Sequence, residues 1–478
     1  MAKIAIVGAG FAGHTAALYI GDRLGRDHEV TVINRSDRFV YIPSLVWVGI
    51  DRMDPEKTRF PLKDVYDRFH VNFIHGRVSE VHADETYVNG EKEDGSGESF
   101  RVDYDYLVLA TGPKLDFAAT PGLGPQAGNS WSICNPPHAV QARDRYLEAV
   151  GRMQAGESQR LVIGTGHGGA TCQGAALEYI TNVHKDLVRR GVRDKASLVY
   201  LSNETELGDF GIRGVQVKHR GVRTSGGEFI GAVFRDYGIE DRTGRSVTGV
   251  ESGRAVWEDM QGEAGETGFD YAMLIPRFTG VDMSYVGKDG EDISDKVVTP
   301  VRLVKVDGIY GLPYEELAGN PEAWPAVYQN PAYPNIFAAG IAFAPPGPIS
   351  QPFTNPNGLP LSPAPPRTGM VSGVIGRIVA LNIIDLVETG RMTHSERMTE
   401  MAAACIASMG DSLWDGSAAV IMVYPVVPDM RRYPDQGGRD GFVTHMEMGL
   451  AGAWMKRMIH TTFMHKLQGR IGWKIIPE

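Results

Sequence analysis

Cysteine is scarce in this sequence. Three residues in a chain of 478 are too few to staple it, which excludes a disulfide scaffold and leaves the three a chemical role or none. Long apolar runs are missing as well. No 18 consecutive apolar residues occur, so no bilayer-spanning helix is expected. No secretory leader is expected either, because a glycine-rich motif already begins at residue 4. Positive charge is in deficit, with 48 Lys and Arg against 58 Asp and Glu and a net charge of -10. That argues against nucleic acid as the main partner. No metal-ligand pattern is read. What is present is an ordinary globular composition, 42% hydrophobic and 22% charged, with length for two or three domains.

The stretch KIAIVGAGFAGHTAALYIGDRLGRDHEVTVINR (3–35) organises the rest. An apolar run enters Gly8, Gly10 and Gly13, an Ala-rich helical pattern follows from Thr15, and a β-branched run spans 30–33. This is a βαβ unit with the dinucleotide fingerprint. Gly8 permits the tight turn, Gly10 lets the backbone approach a pyrophosphate, and Gly13 lets helix and strand pack closely. The helix N-terminus offers N–H groups and a positive dipole end to the phosphates. The second strand of such units ends in an acid that takes the ribose hydroxyls. Here the position reads Asn34-Arg35, and Asn34 is expected to bond a hydroxyl instead.

Short strands are expected around Gly76, and a buried strand within 103–115 ends at Ala110-Thr111-Gly112, where Gly112 allows close backbone approach. A second βαβ unit follows in RLVIGTGHGGATCQGAALEYI (160–180), with Gly164, Gly166 and Gly169 in its turn and a strand at 197–204. The dinucleotide unit is therefore duplicated. Residues 205–270 read as an outer sheet plus an insertion. A buried strand then ends at Gly340. Nine prolines between residues 345 and 366 forbid regular structure, leaving an extended loop folded over the site or a surface insertion. Arg367-Thr368-Gly369 opens a long helix whose N-terminus suits negative charge. In the tail, Met455, Ile459, Phe463, Leu467 and Ile471 recur at helical spacing among basic residues, with Trp454 and Trp473 alongside. That reads as an interfacial membrane helix or as a helix docked on a partner subunit.

Cys134 lies in a loop between the two units, Cys172 in the first turn of the second unit's helix, and Cys405 after the proline loop. The helix dipole is expected to lower the thiol pKa of Cys172. Singly, each reads as a small buried hydrophobe. Together, one at the turn and one beyond the long helix, they read as a redox pair beside a flavin.

The segments VGAGFAG, YLVLATGPKL, SICNPPH, TGHGGATCQGAALEYI, YPNIFAAGIA, PRTGMV and ACIASMGD together resemble the sulfide:quinone oxidoreductase branch of the two-dinucleotide-domain flavoproteins. The resemblance covers most of the chain apart from about 210–265 and the length of the proline loop. It implies an α/β fold of two Rossmann-like dinucleotide-binding domains in the disulfide-reductase-like arrangement, with a C-terminal membrane-associating region. The domain bounds read as 1–115 and 301–390 for the FAD-binding domain, 116–300 for the second domain, and 391–478 for the quinone and membrane region. The implied FAD-binding set is Gly8, Ala9, Gly10, Ala12, Gly13, Asn34, Arg35, Ser44, Val78, Thr111, Gly112, Gly340, Ile341 and Thr368. Cys172 and Cys405 correspond to the pair that faces the flavin and carries the growing sulfur chain. Cys134 corresponds to a third cysteine that in family members links covalently to the flavin or assists sulfur transfer. Glu178 and His138 fall on positions implicated in proton handling. From spacing alone Glu178 does not share a helix face with Cys172, so a helix-surface glutamate stays open, as does a structural His138.

The resemblance implies hydrogen sulfide as donor, a membrane quinone as acceptor, peripheral attachment to the cell membrane and self-association as a homo-oligomer. Three other readings remain. In an NADH:quinone oxidoreductase of this architecture the second glycine turn holds NADH, though Cys172 and His167 crowd it. The flavin subunit of a cytochrome-linked sulfide dehydrogenase is expected to be exported. In a flavin-holding interaction protein the cysteines are unreactive.

Overall fold

The computed structural model describes residues 1–478 except 214, 220, 221, 366, 367, 411, 413 and 415, with backbone alone at 217–219 and 222. Arg367, expected at the head of the long helix, lies outside the described residues.

The fingerprint folds as read. β1 (Lys3–Val7) leads through Gly8 into α1 (Phe11–Leu24), and β2 (Glu29–Asn34) returns parallel to β1, with Ile4 opposite Val30. β3 (Asn72–His82) extends the sheet beyond β2, and the antiparallel β4 (Tyr87–Lys92) and β5 (Ser99–Asp103) finish that edge. Gly76 does not separate two short strands but lies inside β3. The missing side chain makes room for Phe100, whose ring would come within 2.7 Å of a Cβ there. β6 (Tyr106–Leu109) pairs on the other side of β1.

α2 (Pro136–Gln154) opens the second unit, followed by β7 (Gln159–Thr165), α3 (Gln173–Arg189), β8 (Ala196–Leu201) and β9 (Ile239–Arg242). A three-stranded antiparallel meander, β10 (Arg245–Glu251), β11 (Arg254–Asp259) and β12 (Ala264–Gly268), fills the stretch that sequence read as an outer sheet. β13 (Tyr271–Ile275) then completes a parallel sheet in the order β9-β8-β7-β13. β14 (Ser284–Val286) already pairs with β3, so the chain rejoins the first sheet there, and β15 (Ile336–Ala338) adds a strand beside β6.

α4 (Gly369–Thr389) is long and apolar. By length and composition it could cross a bilayer, since its few polar residues do not interrupt an apolar average, yet 67% of its apolar window is buried inside the protein. It is a core helix packed on α1. Gly376 permits the approach, because a Cβ there would stand 2.2 Å from the Ala12 carbonyl oxygen. β16 (Ala403–Met409), β17 (Ser417–Val423) and β18 (His445–Gly449) form a small antiparallel sheet, and α5 (Leu450–Leu467) lies across it.

The tail differs from its sequence reading in which side chains face inward. Lys456 and Lys466 are buried, Trp473 packs on Tyr19 and Phe69, and Ile471 lies beyond the helix, exposed. Lys466 pairs with Glu478 at 3.0 Å. The buried stripe runs through Lys456 and Leu467 rather than through Met455, which is exposed. Two of the basic residues thus serve the interior.

Candidate functional site

Two cradles lie side by side, one in each dinucleotide unit. In the first, Gly8 has φ +102, and a Cβ there would stand 2.2 Å from the Ala110 carbonyl oxygen. A Cβ at Gly13 would stand 1.9 Å from the Gly8 carbonyl oxygen. These two glycines hold turn, helix and strand together. Gly10 caps α1, and a Cβ on it or on Gly112 would meet nothing within 4 Å, so the turn and the end of β6 border open space. Ala9 and Ala12 are buried behind the turn, with Thr111 beside Gly112. Gly340, at φ +69, brings its backbone against Ala12 at the head of the turn that contains Ile341. Thr368 caps α4, and its Oγ1 is buried without a hydrogen-bond partner among the described residues. An open glycine turn, an orphaned hydroxyl and a helix N-terminus facing one space fit an extended phosphate-bearing cofactor such as FAD.

Other residues of the expected set make contacts within the protein. Asn34 Oδ1 accepts from the Ala9 amide at 2.9 Å, and its Nδ2 donates to the Ser36 carbonyl. Both polar ends are engaged with protein, so Asn34 braces the glycine turn. Arg35 pairs with Glu93 at the surface. Val78 is a buried strand residue paired with Gly90. Ser44 is buried and shares a 2.8 Å hydrogen bond with His460 Nδ1 of α5.

The cysteines converge on the start of α3. Cys172 is the residue that caps this helix, just outside its first turn, and adopts φ 68, ψ 34, a left-handed conformation uncommon for a residue with a side chain. Cys405, on β16, brings its Sγ within 3.8 Å of where a Cβ on Gly174 would sit. Cys134 lies close enough to Cys172 for a charge there to raise its own pKa. Three segments far apart in sequence thus meet around one helix end. Burial, reinforced by Cys172, pushes the Cys134 thiol up to about 12, against a hydrogen bond from Ser132. Ser132 Oγ in turn lies 2.9 Å from His138 Nδ1, so Cys134, Ser132 and His138 form a hydrogen-bonded run. Burial also holds His138 below the usual imidazole range, which favours its neutral form.

Glu178 is buried, which removes the surface-glutamate reading. Its Oε1 accepts from the backbone amide and hydroxyl of Ser408, at 3.0 and 2.5 Å, and Lys456 Nζ stands 3.1 Å away. Lys456 also donates to the Ile406 carbonyl at 2.8 Å. The pair flanks Cys405. Burial pushes that thiol up to about 11, while the Lys456 charge pulls it down and Glu178 adds to the rise. Glu178 and Lys456 thus both act on the charge balance at Cys405. The sequence reading missed Lys456, Ser408 and Ser132. A clue to Lys456 was available, since it lies at helical spacing from His460, Phe463 and Leu467.

The chain is similar to several known proteins. A sulfide-quinone reductase from Aquifex aeolicus is 27% identical over 439 residues, covering 92% of this chain and 87% of that protein. A type II NADH:quinone oxidoreductase from Haemophilus influenzae is 26% identical over 155 residues, 31% of this chain and 34% of that protein. The crystal structure of the Aquifex aeolicus sulfide:quinone oxidoreductase superposes with a TM-score of 0.78 at 25% identity, covering 98% of this chain and 92% of that one. The family model described as pyridine nucleotide-disulphide oxidoreductase matches residues 2–282. Doubled dinucleotide units, an open first cradle and a match over more than half its length place the chain in the pyridine nucleotide-disulphide oxidoreductase family.

Proposed function

We propose that the protein oxidises hydrogen sulfide to sulfane sulfur or polysulfide and delivers the electrons, through FAD held in the first cradle, to a quinone. The observation that carries this reading is the meeting of Cys134, Cys172 and Cys405 at one helix end, with a buried charge pair beside the last.

Cys172 and Cys405 form the redox pair. Hydrosulfide attacks one sulfur of the bridge between them, leaves a persulfide on that cysteine and releases the other as thiolate. FAD, when bound, supplies the two-electron relay from thiols to quinone. The Lys456 ammonium stabilises the Cys405 thiolate against its burial, and Glu178 holds that ammonium in place. The bond to the Ile406 carbonyl fixes Lys456 further, so the charge need not reorganise during turnover. Cys134, beside Cys172 and linked through Ser132 to His138, assists sulfur transfer, with His138 taking or returning the proton. On the outer face of α5, Trp454, Met455 and Met458 are exposed. An aromatic and two flexible apolar side chains on one face suit peripheral attachment to a membrane, the source of quinone.

Anaerobic titration with sulfide tests the assignment. The wild-type holoenzyme loses its oxidised-flavin absorbance on sulfide addition. The Cys405→Ser holoenzyme does not, yet still bleaches with dithionite. Full sulfide bleaching of Cys405→Ser rules the cysteine pair out. Intact-mass analysis after denaturation is expected to find added sulfur atoms on wild type.

A further inference from the structure

The second dinucleotide unit retains its glycine turn, yet part of this chain lies in it. The proline-rich loop folds back across the turn between β7 and α3. The Ser362 amide donates to the Gly168 carbonyl at 3.0 Å, the Ala364 amide to the Ala170 carbonyl at 3.3 Å, and Thr171 Oγ1 to the Ala364 carbonyl at 2.9 Å. Packing is as tight as the bonding. A Cβ added to Gly168 would stand 1.8 Å from the Pro360 carbonyl oxygen. In a nucleotide-binding unit this backbone is what a pyrophosphate approaches.

Two polar residues after β8 are also turned inward. Asn203 donates to the Gly168 and Ala170 carbonyls at 2.9 and 3.1 Å. Glu204 stands just beyond β8, where an acid would take a ribose. It is fully buried and accepts from Tyr200, Ser202 and the Phe210 amide. The loop has two further anchors. Ser350 Oγ donates to Asp209 at 2.6 Å, and Asn355 and Asn357 each donate to Glu258 at 2.9 Å.

We propose that residues 360–364 are a built-in occupant of the second dinucleotide cleft and determine donor specificity, by denying pyridine nucleotides the glycine turn. The strap ends beside Thr171, so the segment that closes the cleft also abuts the residue before Cys172. Proline suits the role, since its fixed φ lowers the entropy lost on holding the loop down. The inference rests on the two-dinucleotide architecture and not on the sulfide reading.

NADH binding to FAD-loaded protein tests it, with sulfide bleaching measured separately on each sample. Wild type is expected to show no saturable NADH binding and no flavin bleaching by NADH. Replacing 353–364 by a short Gly-Ser linker should create saturable binding. Ser362→Pro, which removes one donor while leaving the chain length intact, should create weaker binding, with an apparent Kd about tenfold higher. If the linker variant does not retain FAD, Ser362→Pro decides alone. Saturable binding to wild type overturns the proposal. So does the absence of NADH binding in a variant that holds FAD, whatever its response to sulfide. Loss of sulfide bleaching alone bears on the sulfide reading and leaves this inference standing.

Discussion

The two glycine turns descend from one pattern and have opposite surroundings. In the first, Gly10 and Gly112 border open space. In the second, Gly168 faces a carbonyl of the chain itself. The same strand–turn–helix therefore serves as a cofactor cradle in one place and as a mount for a thiol and a strap in the other. A fingerprint specifies the backbone shape that permits nucleotide binding. Whether the shape is used depends on what the rest of the chain lays over it.

The third glycine of each fingerprint gives the sharpest contrast. Gly13→Ala would place a Cβ against rigid backbone, and we expect a loss of about 5 kcal/mol or failure to retain FAD. Gly169→Ala would meet nothing nearer than His167 Nδ1 at 3.4 Å, and should change stability by less than about 0.5 kcal/mol. Chemical denaturation and flavin content measure both. Equal losses would erase the distinction between the turns.

α5 is bolted to both units by different chemistry, and each bolt can be broken separately. On the second unit, Lys456→Met leaves Glu178 buried opposite no charge, an expected loss of about 4 kcal/mol. It should also slow alkylation of Cys405 at a given pH, because the charge that lowers that thiol is gone. Faster alkylation would contradict the role given to Lys456.

On the first unit, the bolt is a neutral histidine. His14 Nε2 donates to the Leu467 carbonyl at 2.6 Å, so Nδ1 accepts from the Tyr66 hydroxyl at 2.9 Å. Burial holds His14 at about 4, against the bond to Leu467. The folded form thus refuses a proton that the unfolded chain accepts at its ordinary value of 6.5. Stability is unaffected above pH 6.5 and falls as the pH drops toward 4, by roughly 3 kcal/mol in all. Denaturant midpoints across that range should decline for wild type and decline less for His14→Gln.

Legibility followed the range of the interactions. The fingerprint turns, the buried strands and α4 depend on neighbours within a few residues, and periodicity reveals those. The gathering of Cys172 and Cys405 is read from their places beside the second glycine turn and the long helix and from family resemblance, since the 232 intervening residues carry no local sign of it. Lys456 is missed because a basic residue on a Trp-bearing helix looks solvated until its partner, Glu178, is placed opposite. Nothing in the sequence shows that Asn34 Oδ1 accepts from the Ala9 amide, because that bond belongs to the turn's own folded shape. The proline loop read equally well as cover or as insertion, because prolines forbid helix and sheet without saying where the chain goes.

The backbone at Cys172 carries one more consequence. A left-handed conformation at a residue with a side chain costs of order 1 kcal/mol, and glycine alone is relieved of it. Cys172→Gly should therefore melt at a higher temperature than Cys172→Ala while being equally inactive. At that one site durability and reactivity pull in opposite directions, and a search for sturdier variants would tend to discard the sulfur first.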